Sequence, residues 1–291
     1  FFLMKRRPPR STFCLDTTRF RAGDVLDKAL HHAGLTAETA AVEARVAAAK
    51  IRYAIDYRYD LSAEELHRLA RTLRLNEVGF CALAQEHYPL PEIGALPFCV
   101  WPLRMAHGIG VANAYIVGEC GGSHGLLFDA GPNLAALTEA WPAGIKQVDA
   151  VFLTHVEAEH TGALCDVVAL FGVAAAFVPS GACAPCGRAL GEGESRAMGG
   201  FQVTAFSTPG HSAAHNCYLV SSPTIRGSTP LLVSGDLIFA GSAGGGYFCH
   251  RQLHVHLRRV LESVPPQTVI APGHGPLTTV ENELRYNPFV V

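Results

Sequence analysis

Residues 150–160 read AVFLTHVEAEH, an apolar run that leads into His155, Glu157, Glu159 and His160. A short apolar run of this kind has the length and composition of a buried strand. In an extended segment beyond it, residues two apart point the same way, so His155 and Glu157 face one point while Glu159 and His160 turn toward another. Further along, His211 follows the Pro-Gly of TPGHS, His274 follows the Pro-Gly of PGHG, and Asp236 ends LLVSGD. All three stand where turn residues or a strand end break regular structure.

Neutral imidazoles and ionised carboxylates are what a divalent first-row ion takes from a protein while keeping a position open for water or substrate. The seven residues His155, Glu157, Glu159, His160, His211, Asp236 and His274 divide into two such sets. Two ions roughly 3.5 to 4 Å apart need a ligand between them, and a carboxylate has two oxygens with which to bridge. Asp236 is the candidate bridge, and with it the candidate catalytic residue that positions a hydroxide between the ions. Any one of the chain's 14 histidines is more simply a surface or packed residue. Ligand-type residues at several separate turns, each after an apolar run, are what make the metal reading.

THVEAEH, TPGHS, SGDLIF and PGHGPLTT, taken in order, resemble the motif series of the metallo-β-lactamase superfamily, from about Pro97 to the end of the chain. NAYIV and LLFDAGP are similar to that family's opening strands, and SGDLIFAGSAGG and PGHGPLTTVENELRYNPF to segments of its glyoxalase II branch. The resemblance implies an α/β fold, an αββα sandwich. It also implies His155 and His211 on a first ion, His160 and His274 on a second, and Asp236 on both. The family's usual first motif is His-x-His-x-Asp-His, and here Glu157 and Glu159 replace its second His and its Asp. A motif of His-x-Glu-x-Asp-His instead resembles the flavodiiron proteins, which reduce oxygen or nitric oxide. Glu159 is one methylene longer than the Asp of either pattern, which would suit it to the outer shell as well as the inner.

The expected cofactors are two divalent ions, zinc or iron, with manganese also compatible. A further carboxylate ligand favours iron or manganese by ligand type and offsets part of the field that acidifies bound water. The expected function is hydrolysis, with a hydroxide between the ions attacking the carbonyl of a thioester, lactone or related ester. The alternative is a non-heme diiron protein that binds or reduces O2, NO or peroxide, drawing on an external electron donor. A third class is a binding module whose metal core is structural. Glyoxalase II carries a C-terminal helical domain that helps bind glutathione. This sequence ends at NPFVV, so its N-terminal helices are expected to shape the pocket instead.

The 291 residues are 49% hydrophobic and 16% charged, with a formal net charge of −2, as in a soluble globular protein. Such a balance gives no general attraction to nucleic acid or anionic membrane, so the expected partner is a small-molecule substrate. Phe1–Met4 is too short an apolar run for a signal core, and residues 1–21, with KRRPPR, read as a disordered start of a cytoplasmic protein. The nine cysteines, an odd number, read as reduced thiols. Cys183 and Cys186 form CAPC, the spacing of half a metal site or of a redox pair.

Residues 22–95 read as a helical N-terminal domain, with Ser62 and Glu65 as a capping box, and as a cap or homodimerisation element beside the metal domain. LSAEELHRLARTLRLNEVGF weakly resembles a helix-turn-helix half. Three prolines and a glycine in residues 88–97 mark the boundary, and residues 96–291 form the metal domain. There VANAYIV, GLLFDAG, DAVFLT, AAFVP, FQVTAFS, NCYLV, PLLVSG and TVIAP read as strands, and NLAALTEAW and HTGALCDVVALF as helices. Residues 181–200, with six glycines, read as a mobile loop near the site. HRQLHVHLRRVLES reads as an amphipathic outer helix with His250 and His254 on one face.

Overall fold

In the computed structural model, which describes residues 20–58, 60–108, 110–225 and 227–291, five helices precede the first strand. They are α1 (Ala22–Ala33), α2 (Ala37–Ala44), α3 (Ala48–Ile55), α4 (Ala63–Thr72) and α5 (Glu77–Ala84). The capping box forms at α4: Ser62 Oγ accepts from Glu65 N at 3.3 Å, and the Glu65 carboxylate accepts from Ser62 N at 2.8 Å. Two orphan donors of the first turn are thereby satisfied. Helix α4 turns Leu66, Leu69 and Ala70 inward, and α5 turns Gly79, Phe80 and Leu83 inward. The second helix of the helix-turn-helix resemblance thus has one face committed to the core.

A first six-stranded sheet runs in the order β1 (Cys99–His107), β2 (Gly110–Gly118), β3 (His124–Phe128), β4 (Gln147–Phe152), β5 (Ala176–Pro179), β6 (Arg188–Leu190). Strands β1 to β3 are antiparallel neighbours; β3 to β6 are parallel. Parallel neighbours need crossovers. Helix α6 (Leu134–Glu139) lies between β3 and β4, and α7 (Ala158–Thr161) with α8 (Leu164–Phe171) between β4 and β5. The second sheet collects β7 (Ser195–Met198), β8 (Phe201–Ser207), β9 (Asn216–Ser221) and β10 (Leu231–Gly235), followed by a short pair, β11 (Ile238–Phe239) and β12 (Ser242–Ala243), that stands apart. After α9 (His250–Ser263) the sheet is completed by β13 (Val269–Pro272) and β14 (Thr278–Thr279), and α10 (Val280–Tyr286) follows.

Tyr115, Val117, Phe128 and Phe152 of the first sheet meet Val203, Tyr218, Val233 and Ala271 of the second in one buried cluster. The outer face of the first sheet packs Ile116, Leu127 and Val151 under Leu164 and Val167 of α8. On the outer face of the second, Cys217, Leu232 and Ile270 share a cluster with Leu253, Leu257 and Leu261 of α9 and with residues from all five N-terminal helices. The architecture is therefore an αββα sandwich, with the N-terminal helices in its outer layer.

The structure corrects several expectations. Cys99 and Cys120 are not thiols but a disulfide, Cα to Cα 5.0 Å. Cys99 pairs in register with Gly118, so the β1–β2 hairpin brings Cys120 alongside it, a proximity that a spacing of 21 residues does not reveal. Residues 181–200 are not one loop: β6 pairs with β5, and β7 forms a hairpin with β8 across Gly199 and Gly200. Strand β1 is not among the strands expected from the sequence; it contains Pro102, which is tolerated because β1 is an edge strand. Residues 1–19, with KRRPPR, lie outside the described residues; Phe20, expected in the disordered start, stacks on Phe239 at 4.7 Å.

The C-terminal segment fastens the N-terminal helices to the sandwich. Asn76 N donates to Pro288 O, Tyr88 OH donates to the buried Glu283 carboxylate, and Asn287 Nδ2 donates to Phe239 O, Ser242 O and Glu283. At Gly79 α5 touches α10 so closely that a Cβ would stand 1.6 Å from Tyr286 O. Gly79→Ala is expected to lower stability by about 1–3 kcal/mol through this overlap. Gly94→Ala, with nothing within 4 Å of its Cβ, is expected to change little. Urea unfolding of the two variants checks this.

Candidate metal centre

Strand β4 ends at Phe152, and Leu153 and Thr154 carry the chain to His155 at the edge of the sandwich. Glu157 is the N-cap of α7, whose single turn holds Glu159 and His160. The segment is therefore extended only as far as Glu157, and it is the helical turn that sends Glu159 and His160 to a different side. The turn after β8 brings His211, the end of β10 brings Asp236, and the turn after β13 brings His274. All seven residues meet in three overlapping groups whose ligand atoms lie within 4.8 Å: His155, Glu157 and His211; Glu159, His160 and His274; and His155, His160 and Asp236.

Asp236 stands at the centre. Its Oδ1 is 3.6 Å from His160 Nε2, and its Oδ2 is 3.7 Å from His211 Nε2 and 3.4 Å from His274 Nε2. Glu157 reaches His211 Nε2 at 3.0 Å and His155 Nε2 at 3.9 Å. The Nε2 atoms of His155 and His160 and Oδ1 of Asp236 are buried without a hydrogen-bond partner, and Nε2 of His211 has the Glu157 carboxylate beside it. Buried polar groups are nearly always paired, so three orphans gathered here fit a ligand that the chain itself does not provide. Their chemistry, imidazole nitrogens around a carboxylate, fits divalent first-row ions.

Each imidazole is held from behind. Nδ1 of His155 bonds Thr154 Oγ1 at 2.9 Å, Nδ1 of His160 bonds Asp129 Oδ2 at 3.1 Å, and Nδ1 of His211 and His274 donate to Gly245 O at 2.9 Å and Val111 O at 2.7 Å. Such partners fix which nitrogen points at an ion and raise its basicity. Asp129 also accepts from Thr154 N and Oγ1 and holds φ at 60°, a region that costs a non-glycine residue energy. His215 bonds Thr208 Oγ1 and accepts from Asp236 N, so it holds the backbone of Asp236. Asn113 donates to Pro272 O and Gly275 O and fixes the turn that carries His274. Asp129, His215 and Asn113 were not singled out from the sequence, although Asp129 and Asn113 lie in the segments LLFDAGP and NAYIV that carry the resemblance. Gly273 leaves room for the centre: a Cβ there would meet Asp236 Oδ1 at 2.2 Å.

Burial disfavours charge on His160, but Asp129 and Asp236 outweigh it and raise its pKa to about 9. For His155 burial and the neighbouring imidazoles prevail and hold the pKa well below its ordinary value. Burial alone would raise the pKa of Asp236; His274 and the other histidines around it depress it strongly. The buried side is made of His155 and His160, while side chains of Glu157, Glu159 and His274 are 38%, 21% and 26% exposed and open it to solvent. Glu159 lies 3.7 Å from His107 Nε2. The N-terminal helices reach this wall: Phe239, whose ring is 5.6 Å from that of His274, is covered by Phe20 and Lys28. Lys28 Nζ donates to Ala243 O at 2.6 Å, and burial lowers its pKa to about 8. Cys183 and Cys186 belong to none of the metal-type groups found among the described residues.

A family model described as the metallo-beta-lactamase superfamily matches residues 107–284. The chain belongs to this superfamily. The hydroxyacylglutathione hydrolase of Citrobacter koseri is 28% identical over 149 residues, 50% of this chain and 54% of its own length. An uncharacterised Mycobacterium leprae protein is 31% identical over 104 residues, 34% of this chain and 44% of its own length. The chain thus spans about half the length of these curated relatives. Among solved structures, the BLEG-1 B3 metallo-beta-lactamase is 26% identical with a TM-score of 0.53, covering 65% of this chain and 98% of its own. ETHE1 from Myxococcus xanthus, 22% identical over 64% of this chain and 83% of its own, with a TM-score of 0.53, shares the fold. Among the described residues, no helix is long and apolar enough to cross a membrane.

Removing a hydrogen-bond partner behind a metal-binding histidine typically costs about 10- to 100-fold in affinity. Asp129→Asn is therefore expected to weaken metal retention by roughly that factor. Competition with a chromophoric chelator measures it.

Proposed function

We propose that the protein is a dinuclear-metal-dependent hydrolase acting on a thioester, lactone or related ester. The observation that carries this reading is the gathering of three unpaired buried ligand atoms, Nε2 of His155 and of His160 and Oδ1 of Asp236, inside the seven-residue cluster. In it His155, Glu157 and His211 hold one ion, Glu159, His160 and His274 hold the other, and Asp236 lies between them, within 3.7 Å of donors from both sets. Two ions bound there would supply an activated water and an electrophile for the carbonyl oxygen. Thr154, Asp129, Gly245 and Val111 hold the imidazoles in place before substrate arrives, so little reorganisation is left for the reaction. The partly exposed edge of Glu157, Glu159 and His274 leaves access for a small-molecule substrate. Tyr247, 75% exposed with its ring 5.3 Å from His211, stands on the rim where the acyl group would enter. The half-length match to hydroxyacylglutathione hydrolases supports a thioester as the first substrate class to try.

A second reading is favoured by one residue. Glu157 gives the first set a carboxylate 3.0 Å from His211 Nε2, and a hard anionic donor favours iron or manganese over zinc. The protein would then be a diiron protein binding or reducing O2, NO or peroxide with an external electron donor.

Asp236→Ala and His160→Ala are expected to reduce turnover of an acyl-thioester and lactone panel to background while circular dichroism shows the fold retained. Chelation should abolish wild-type activity and added zinc should restore it. Elemental mass spectrometry of protein purified without added metal separates the readings: two zinc ions support hydrolysis, and two irons with a visible band that bleaches on reduction support the diiron protein. Wild-type protein loaded with metal and inert on every ester class overturns the hydrolase.

A further inference from the structure

A second group of histidines lies outside the centre, where α1 packs beside α9. His250 and His254 are one helical turn apart on α9, the spacing at which two side chains share a face. His32, near the end of α1, lies between them. Its ring stacks on His250 at 5.7 Å with 15° between the planes and meets His254 edge-on at 5.1 Å. Nδ1 of His32 is 3.2 Å from Nε2 of His254. Phe289 closes the far side, with its ring 5.6 Å from His32 and 5.8 Å from His254, and its backbone holds the His254 ring from behind.

We propose that His32, His250 and His254 form a further transition-metal site that ties the N-terminal helices to α9. Two nitrogens bound to one tetrahedral zinc at about 2.0–2.1 Å stand about 3.3 Å apart, close to the separation of the His32 and His254 nitrogens. His250 is exposed, and its ring, stacked on His32, would have to turn to supply a third nitrogen. A plain imidazole–imidazole hydrogen bond also accounts for one contact. An ion on His32 Nδ1 and the hydrogen bond alike leave His32 Nε2 buried without a partner, so the zinc count below separates them. Burial and the surrounding imidazoles lower the pKa of His32 to about 3 and also lower that of His254, which keeps lone pairs available at neutral pH. Three neutral nitrogens suit zinc, nickel or copper and not the hard ions magnesium or calcium.

An ion here cross-links two parts of the chain that the sequence separates by more than two hundred residues. It also bears on the other centre. Helix α9 begins directly beside the His211 turn, where Phe248 N and Cys249 N donate to Gly210 O at 3.2 and 2.9 Å. Fixing the first two turns of α9 therefore stiffens the loop that presents His211.

The test is zinc binding, counted by native mass spectrometry and followed by thermal melting, in wild type, His32→Gln and His254→Gln. The expected result is one zinc fewer per chain in each variant, with loss of part of the zinc-dependent rise in Tm. Equal zinc counts and equal rises in all three proteins overturn the site. Should either buried variant fail to fold, His250→Gln, at an exposed position, decides: a loss of roughly tenfold or more in affinity for the additional ion supports the site, and unchanged binding overturns it. Because the readout is a difference between proteins with the same Asp236 centre, it is independent of that centre's reaction and of its metal.

Discussion

Asp236 is a carboxylate taken out of water and surrounded by imidazoles, and the placement of the loops at this edge of the sandwich is built around it. One of its oxygens is buried with no hydrogen-bond partner, and His160, His211 and His274 approach within 3.7 Å. Burying a charge is costly unless opposite charge or a metal compensates. Within the chain itself some of that compensation comes from the histidines, which depress the pKa of Asp236. The same crowding explains Gly273, where any side chain would strike Asp236, and His215, which accepts a hydrogen bond from the Asp236 backbone.

This constraint extends backward into the two sheets. The ligands come from the ends of strands in both sheets, so their geometry depends on how the sheets are stacked. Phe128, Phe152 and Tyr218 pack together between the sheets with ring centroids 5.2 to 6.0 Å apart, and Tyr218 OH donates to Leu153 O, two residues before His155. Asn216 N donates to Thr154 O and Asn113 N to Gly273 O, so hydrogen bonds cross between the sheets at the edge where the ligands emerge. A shift of one sheet against the other would part His155 and His160 from His211, Asp236 and His274 together.

The N-terminal helices share the apolar layer over the second sheet with α9. Their contribution to the centre is indirect but physical: Phe20 and Lys28 cover Phe239, which backs His274. The C-terminal Asn-Pro-Phe segment joins both parts, with Asn287 bonded to the β11–β12 turn and Pro288 to Asn76. Residues from both ends of the chain thus pack against the elements next to the centre.

Hydrophobic periodicity was sufficient to read most strands of the sandwich, because a strand buried on both faces is an uninterrupted apolar run whatever its neighbours. Ligand chemistry was equally legible: histidine and carboxylate after strand ends, with Pro-Gly before His211 and His274, is a local pattern. Contacts between distant residues were not legible. The Cys99–Cys120 disulfide, the pairing of β6 with β5, and β1 with its proline all depend on which strand lies alongside. Asp129, His215 and Asn113 act through residues brought to them by folding, as does His32 against His250 and His254. The sequence by itself determined the elements and the donor types, since both are set by local chemistry and period. Tertiary structure decided how those donors are oriented and which of them meet, since hydrogen-bond partners and sheet register join residues that the chain keeps far apart.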